Sequence, residues 1–189
     1  MKVIDNFFNK EDQDFLQETL LVDTHNVFPW YLAHTSNYVP YNYTDSIRLN
    51  SGLPFEKDYH QFYHTFYADK KQNSEHWPRL EKMFMFNKHI KVKKFYRVKA
   101  NLNVQIIGAN EETHGSLHTD LTDNTHKSVL YYVNNSDGDT LLFDNNKNVV
   151  KRVKPKKGRA VVFDSNILHA ASPPLNSRFR VVVNCIFKH

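Results

Sequence analysis

The sequence predicts an all-β core, a sandwich or barrel, that is buttressed by N-terminal helices. The main observation is a series of short strand-like segments, separated by turns, that together fill residues 94–187. A second observation is the alternation of apolar and polar residues over 94–107, a period of two that is typical of a half-buried strand. The third is the helical spacing of apolar residues in the first half of the chain. Along the chain, we therefore expect the helices in the first half and the β core in the second half.

Six strands and their turns are expected in the core. Residues 134–138 combine Asn, Asp, Ser and Gly, and residues 154–158 combine Pro and Gly, so both segments predict turns between antiparallel strands. The strands are predicted over 94–107, 128–133, 140–143, 148–153, 159–163 and 178–187.

The first half of the chain is predicted to be a helical and loop-rich flank. One helix begins after Asn9 and runs to about Leu21, and another opens at Ser74. The inward-facing residues are expected to be Leu16 and Leu20 in the first helix, and Trp77, Leu80 and Phe84 in the second. Helical spacing also relates Phe55, Tyr59, Phe62 and Phe66. We expect one domain over 1–189, with the flank at 1–93 and the core at 94–189.

Composition is typical of a single compact domain. The chain has 189 residues, of which 40% are hydrophobic, enough for one core of ordinary size. It contains no apolar run of membrane-spanning length, and its start lacks the apolar run of a signal peptide, so we expect a cytoplasmic protein without membrane association. The one cysteine, Cys185, lies in an apolar strand and is expected to be an inert core residue.

Three residues carry the strongest functional signal. His118 and Asp120 are two positions apart, so on a strand their side chains would share one face and could bind one ion. His169 lies on a later segment that an antiparallel return can bring alongside. Two imidazoles and one carboxylate form the facial triad of non-haem Fe(II) oxygenases, which leaves the remaining coordination positions open. The pattern therefore predicts an iron site.

The segments around the triad occur in an order that resembles a known family. The matching stretches are 117–120, 129–134, 141–143, 158–163 and 169–174, followed by Arg178. In this order they resemble the core of the Fe(II)/2-oxoglutarate-dependent dioxygenases, in particular the prolyl-hydroxylase-like subgroup, over residues 101–187. The resemblance implies a double-stranded β-helix, also called a jelly roll.

The resemblance also implies a chemistry and its cofactors. His118, Asp120 and His169 would hold Fe(II), and 2-oxoglutarate and O2 would be the cosubstrates. Decarboxylation of 2-oxoglutarate to succinate would be coupled to hydroxylation of a substrate C–H bond. The metal and cosubstrate supply that chemistry, so no side-chain nucleophile or general base is required.

Cosubstrate binding is assigned by spacing. In the family, an Arg or Lys about ten residues beyond the second His binds the distal carboxylate of 2-oxoglutarate, and Arg178 stands nine beyond His169. Arg180, two residues further on the same strand, remains the alternative. By position in the family's motifs, Tyr132 and Asn103 are implied to contact the same cosubstrate.

Charge and aromatic content bear on the primary substrate. The net charge is +5, and two basic clusters occupy residues 88–99 and 147–159. A peptide, protein or small-molecule substrate is favoured, with a nucleic-acid-oxidising enzyme and a non-catalytic, cupin-like metal-binding module as alternatives. The aromatic, turn-rich stretch 28–54 is predicted to be a substrate loop over the mouth of the site.

Overall fold

The computed structural model describes residues 1–21, 28–33 and 59–189. These residues form two helices and eleven strands. In chain order the elements are β1 (Lys2–Ile4), α1 (Lys10–Leu21), β2 (Tyr31–Ala33), β3 (Gln61–Ala68), β4 (Lys71–Gln72), α2 (Trp77–Met85), β5 (Lys94–Val104), β6 (His126–Tyr132), β7 (Thr140–Phe143), β8 (Val149–Val153), β9 (Ala160–Asp164), β10 (His169–Ala171) and β11 (Phe179–Lys188). Neither helix in this part of the chain is long and apolar enough to span a membrane.

The strands form two antiparallel sheets. The larger sheet has the order β1-β9-β6-β11-β5-β3-β2, with β4 attached to β3, and the smaller has the order β10-β7-β8. Apolar residues from both sheets meet in one cluster, so the sheets pack face to face. Leu130 of β6, Leu142 of β7 and Val182 of β11 are members of this cluster. The fold is the double-stranded β-helix that the sequence predicted.

The helices cover the other face of the large sheet. Leu16 and Leu20 of α1 and Trp77, Leu80 and Phe84 of α2 are buried in a cluster with sheet residues such as Val183. Along β11, Val181, Val183 and Cys185 belong to this cluster, whereas Arg180, Val182 and Asn184 line a cavity between the sheets. Because side chains alternate along β11, one face of the sheet is apolar and covered by the helices, and the other is polar and lines the cavity.

Most predicted elements are confirmed within two or three residues, and one is wrong. Asn9 caps α1, since its side-chain oxygen accepts a hydrogen bond of 2.9 Å from the Asp12 amide. The aromatic run at Phe62 and Phe66 is strand β3 rather than a helix, and it pairs with β5. A spacing of four residues keeps side chains on one face of a strand as well as of a helix, so this pattern does not distinguish the two. Phe55 and most of the predicted substrate loop 28–54 lie outside the described residues.

The flank at 1–93 is consequently more than a helical buttress. β1 extends the large sheet beside β9, and β3 extends it beside β5. The N-terminal segment is also held by ion pairs, since Asp5 lies 2.6 Å from Arg159 and 3.1 Å from Lys156. The two predicted parts of the chain therefore share one sheet.

The loop that leads into β11 is fixed by one carboxylate. Asp137, in the turn between β6 and β7, accepts hydrogen bonds from the backbone amides of Leu175, Asn176 and Ser177 at 3.2, 2.7 and 3.1 Å. The adjacent Gly138 packs so closely that a Cβ there would lie 2.7 Å from the Ser172 carbonyl oxygen. Burial alone would raise the pKa of Asp137, but the amide hydrogen bonds outweigh it and lower the pKa to about 2.

Replacing Asp137 by Asn should therefore destabilise the fold in a pH-dependent manner. Because the folded-state pKa lies below the unfolded value, the stabilisation is present above pH 4 and is lost as the pH falls through about 2. We expect Asp137→Asn to lower the free energy of unfolding by about 1–2 kcal/mol at pH 7, with a smaller difference at pH 3. Urea denaturation at both pH values measures this. Glu18→Gln, on the exposed face of α1, is the control, and an equal loss at both pH values would contradict the account.

Candidate active site

His118, Asp120 and His169 meet at one end of the cavity between the sheets. Their ligand atoms lie within 4.8 Å of one another. His118 and His169 form an isolated antiparallel bridge, with reciprocal backbone hydrogen bonds of 3.0 and 2.9 Å. The sequence argument relied on strand geometry at His118 and Asp120, but the structure has only this bridge, and Asp120 lies in the bend that follows. The three side chains nevertheless converge as the pattern predicted.

The two imidazoles are oriented by their own backbone. His118 Nδ1 lies 3.2 Å from the Ser116 carbonyl oxygen, and His169 Nδ1 lies 2.9 Å from the Ile167 carbonyl oxygen. A ring that donates its Nδ1–H to a carbonyl presents the lone pair of Nε2, which is the form that binds metal. Burial, together with the neighbouring His169, lowers the pKa of His118, so this ring is neutral and ready to bind a cation.

Asp120 is fixed by three donors. Ser128 donates to one carboxylate oxygen at 2.6 Å, and Asn184 and Arg97 donate to the other at 3.1 and 3.4 Å. Asp120 is 3% exposed, and burial would raise its pKa, but His169 and Arg97 outweigh this effect and lower it. The carboxylate is therefore ionised and has a fixed orientation before any metal binds.

A buried arginine occupies the opposite end of the cavity. Arg180 is 2% exposed and donates to Thr140 Oγ1 at 2.7 Å and to Asn103 Oδ1 at 3.2 Å. The Tyr132 hydroxyl also donates to Thr140 Oγ1 at 2.7 Å, which leaves the Thr140 hydrogen free to donate into the cavity that it lines. Within the described ranges, Arg180 Nε and Asn103 Nδ2 are buried donors without a partner. Such donors indicate a missing acceptor.

The residues predicted to bind the cosubstrate differ in their position relative to the cavity. Asn103 lines the cavity, and Tyr132 is fully buried behind it, with the Arg180 guanidinium 5.6 Å from its ring. Arg178 is exposed and precedes β11, and its carbonyl accepts a hydrogen bond from the Gln105 amide. Arg180 therefore lies in the cavity, whereas Arg178, which spacing favoured, lies outside it.

Several residues of the site were missed by sequence reasoning. Thr140, Arg97, Ser128 and Lys99 lie in no recognised motif, although Arg97, Lys99 and Asn103 do share the polar face of the alternating segment that became β5. From the sequence alone, the polar residues of this face are equally consistent with a strand face exposed to solvent. Burial, and secondly the Arg97 charge, lower the pKa of Lys99 to about 7, while Asp120 opposes the shift.

The basic cluster at 147–159 is partly neutralised. Lys156 and Arg159 pair with Asp5, and Lys157 pairs with Asp14 at 2.8 Å. Arg152 donates to the Glu111 carbonyl oxygen at 3.3 Å. Much of this positive charge therefore stabilises the attachment of the N-terminal segment.

Comparison with known proteins defines the class. Residues 102–188 match the model of the 2OG-Fe(II) oxygenase superfamily, and this range contains Asp120, His169 and Arg180. Comparison with curated protein sequences gives no match. This family match, together with the triad and the double-stranded β-helix, supports a 2-oxoglutarate-dependent dioxygenase.

Solved structures show the same fold at low sequence identity. A prolyl hydroxylase from Trichoplax adhaerens, in complex with a peptide fragment of the hypoxia inducible factor oxygen degradation domain, is 14% identical, with a TM-score of 0.57 over 99% of this chain and 83% of that one. The epimerase SnoN from nogalamycin biosynthesis is 11% identical, with a TM-score of 0.55 over 98% and 75%. An oxidoreductase of the 2OG-Fe(II) oxygenase family from Burkholderia pseudomallei is 11% identical, with a TM-score of 0.54 over 76% and 73%.

The residues present fit both Fe(II) and 2-oxoglutarate. Two imidazoles and one carboxylate are the donor set that non-haem Fe(II) takes in oxygenases. The partnerless Arg180 Nε and Asn103 Nδ2 are suited to the oxygens of a carboxylate. The cavity thus offers a metal site at one end and an anion site at the other.

Removing the hydroxyl that orients Asp120 should weaken metal binding. Ser128→Ala leaves the three ligands in place but deletes the 2.6 Å hydrogen bond to the carboxylate. We expect the dissociation constant for Fe(II) or Mn(II) to rise about tenfold or more, measured by anaerobic calorimetric titration. Ser172→Ala is the matched control, because the Ser172 hydroxyl is buried without a partner among the described residues. Equal affinities in the two variants would show that Ser128 does not orient the metal ligand.

Proposed function

We propose that the protein is a 2-oxoglutarate-dependent hydroxylase that acts on peptide or protein substrates, in the manner of a prolyl hydroxylase. The observation that carries the proposal is the cavity itself, which has the triad at one end and the partnerless donors of Arg180 and Asn103 at the other. The family match supports the reaction class, and the fold shared with a peptide-bound prolyl hydroxylase agrees with the substrate class.

Arg180 takes the role that spacing assigned to Arg178. A guanidinium held by Thr140 and Asn103 is pre-oriented, so little side-chain entropy is lost when it binds a carboxylate. Within the described part of the chain, no acidic side chain forms an ion pair with Arg180. The distal carboxylate of 2-oxoglutarate would supply its counter-charge, with the Thr140 hydroxyl as a further donor.

Tyr132 acts from behind this site rather than within it. Its hydroxyl donates to Thr140 and thereby fixes which way the Thr140 hydrogen points. Burial raises the pKa of Tyr132, so the hydroxyl stays protonated and remains a donor across the working pH range. Tyr132 is therefore a positioning residue in this proposal.

The chain's own residues bind and orient, while the bound groups supply the chemistry. His118, Asp120 and His169 would hold Fe(II), and Ser128, Asn184 and Arg97 keep the carboxylate in place. When bound, Fe(II) would couple the oxidative decarboxylation of 2-oxoglutarate by O2, which yields succinate and carbon dioxide, to insertion of the second oxygen atom of O2 into a substrate C–H bond. The buried cavity walls limit access of solvent to the reacting groups.

A peptide is favoured over nucleic acid as the substrate. Three of the seven basic residues in the 147–159 cluster are engaged by Asp5 and Asp14, which reduces the positive surface available to phosphates. A nucleic-acid substrate would be recognised by salt-sensitive binding to such a surface. The ion pairs therefore count against that alternative.

The arginine assignment can be tested without knowing the primary substrate. We expect Arg180→Met to bind Fe(II) normally but to weaken 2-oxoglutarate binding on the order of a hundredfold, because a buried carboxylate would lose its charged partner. The readout is the metal-to-ligand charge-transfer band that forms when 2-oxoglutarate is added to the anaerobic Fe(II) protein. Arg178→Met is the matched control and should change the affinity by less than about twofold. The reverse result would restore Arg178 as the binding residue.

An assay of turnover distinguishes an enzyme from a non-catalytic metal-binding module. We expect peptide substrates to increase succinate release and to gain the mass of one oxygen atom, as measured by mass spectrometry on a peptide library that contains proline in varied contexts. His169→Ala should abolish both signals and the charge-transfer band, because it removes one of three metal ligands. A band without succinate under any condition would identify a non-catalytic relative.

A further inference from the structure

Lys99 lines the cavity, and neither the metal triad nor the cosubstrate end uses it. It lies on β5 in a row of inward-facing polar residues, between Arg97 on one side and Asn101 and Asn103 on the other. In the strand register it stands opposite Asn184 of β11 and Thr65 of β3. Lys99 is therefore placed beside the triad, on the wall that a substrate entering the cavity would contact.

Among the described residues, the other charged side chains of the cavity have a partner either in the structure or under the proposed function. Arg97 lies 3.4 Å from Asp120, and the Asp120 carboxylate also belongs to the metal triad. Under the proposed function, Arg180 takes the distal carboxylate of 2-oxoglutarate. Across the described residues, no carboxylate forms an ion pair with Lys99. The loaded site would therefore carry a surplus positive charge at Lys99.

Keeping a lysine at this position is energetically unfavourable without a counter-charge. An ammonium removed from water loses solvation, and the neighbouring guanidinium repels it. Methionine or leucine at this position would occupy the same space without the free-energy cost of removing a charge from water. A bound anion would offset both the lost solvation and the repulsion.

We propose that the primary substrate carries an acidic side chain on the residue next to the oxidised one and that Lys99 binds this carboxylate. The inference rests on the proposed function and narrows its substrate class to an acidic peptide segment. Asn101 supports a peptide in particular, since its side-chain oxygen is buried without a partner in the described ranges and can accept from a backbone N–H. Lys99 would thus bind the acidic side chain of the substrate, and Asn101 would accept a hydrogen bond from its main chain.

A binding experiment tests the anion site independently of turnover. Protein labelled with ¹³C at the lysine ε carbons is loaded with Zn(II) and saturating 2-oxoglutarate, and Lys99 is assigned as the resonance missing from Lys99→Met. Acetate should shift this resonance in a saturable manner, whereas acetamide, which has the same shape without the charge, should not. No shift with acetate, or an equal shift with acetamide, would overturn the proposal. Saturation by phosphate at a concentration far below that of acetate would overturn the assignment to a carboxylate.

A specificity experiment tests the substrate. Peptides that support succinate release are compared in matched pairs with Asp or Glu, and Asn or Gln, next to the oxidised residue. We expect the acidic member to have a kcat/KM about tenfold higher, and Lys99→Met to reduce this ratio to about twofold or less. Lys99→Glu should reverse the preference toward peptides with lysine at that position. Lys88→Met, at an exposed lysine, is the control and should retain the wild-type ratio.

Two further outcomes distinguish this inference from the function on which it rests. If acetate binds at Lys99 but no peptide is oxidised, the peptide part of the proposed function fails and the anion site stands. If Lys99→Met weakens 2-oxoglutarate by more than about tenfold in the charge-transfer titration, Lys99 serves the cosubstrate and the proposal is wrong.

Discussion

The antiparallel bridge between His118 and His169 joins segments that are far apart in the chain and places both metal-binding rings side by side. Two backbone hydrogen bonds, of 3.0 and 2.9 Å, hold the bridge, and the ring centroids lie 4.2 Å apart. Each ring is then oriented by a carbonyl two residues earlier in its own segment. The position of the metal site thus depends on main-chain geometry, which side-chain substitutions around it disturb little.

The remaining polar residues of the cavity are organised around this bridge by strand alternation. β11 lies between β5 and β6, so its inward residues meet those of both neighbours. Arg180 and Asn184 therefore reach opposite ends of one cavity from a single strand, and the outward residues between them pack on the helices. Burying so many polar groups costs stability, which the apolar cluster on the helical side offsets.

The secondary structure could be predicted from the sequence wherever the spacing of apolar residues matches the face that is buried in the fold. Six of the seven core strands and both helices followed from periodicity, helped at α1 by its cap, and the triad followed from ligand chemistry. β3 was missed because its apolar residues four apart satisfy both periods, and only pairing with β5 decides between them. The sequence could not decide which of Arg178 and Arg180 lies in the cavity, because the point where β11 begins depends on the loop held by Asp137.

The order of strands in the large sheet has a consequence for how the chain folds. β11 is the last described strand in sequence, yet it lies in the middle of the sheet, with β5 on one side and β6 on the other. Until β11 is in place, β5 and β6 present unpaired edges and the two halves of the sheet remain separate. Assembly therefore requires closure of long loops, which slows folding and prolongs the exposure of aggregation-prone edges. Until β11 pairs with both neighbours, the incomplete sheet is the species most prone to aggregate.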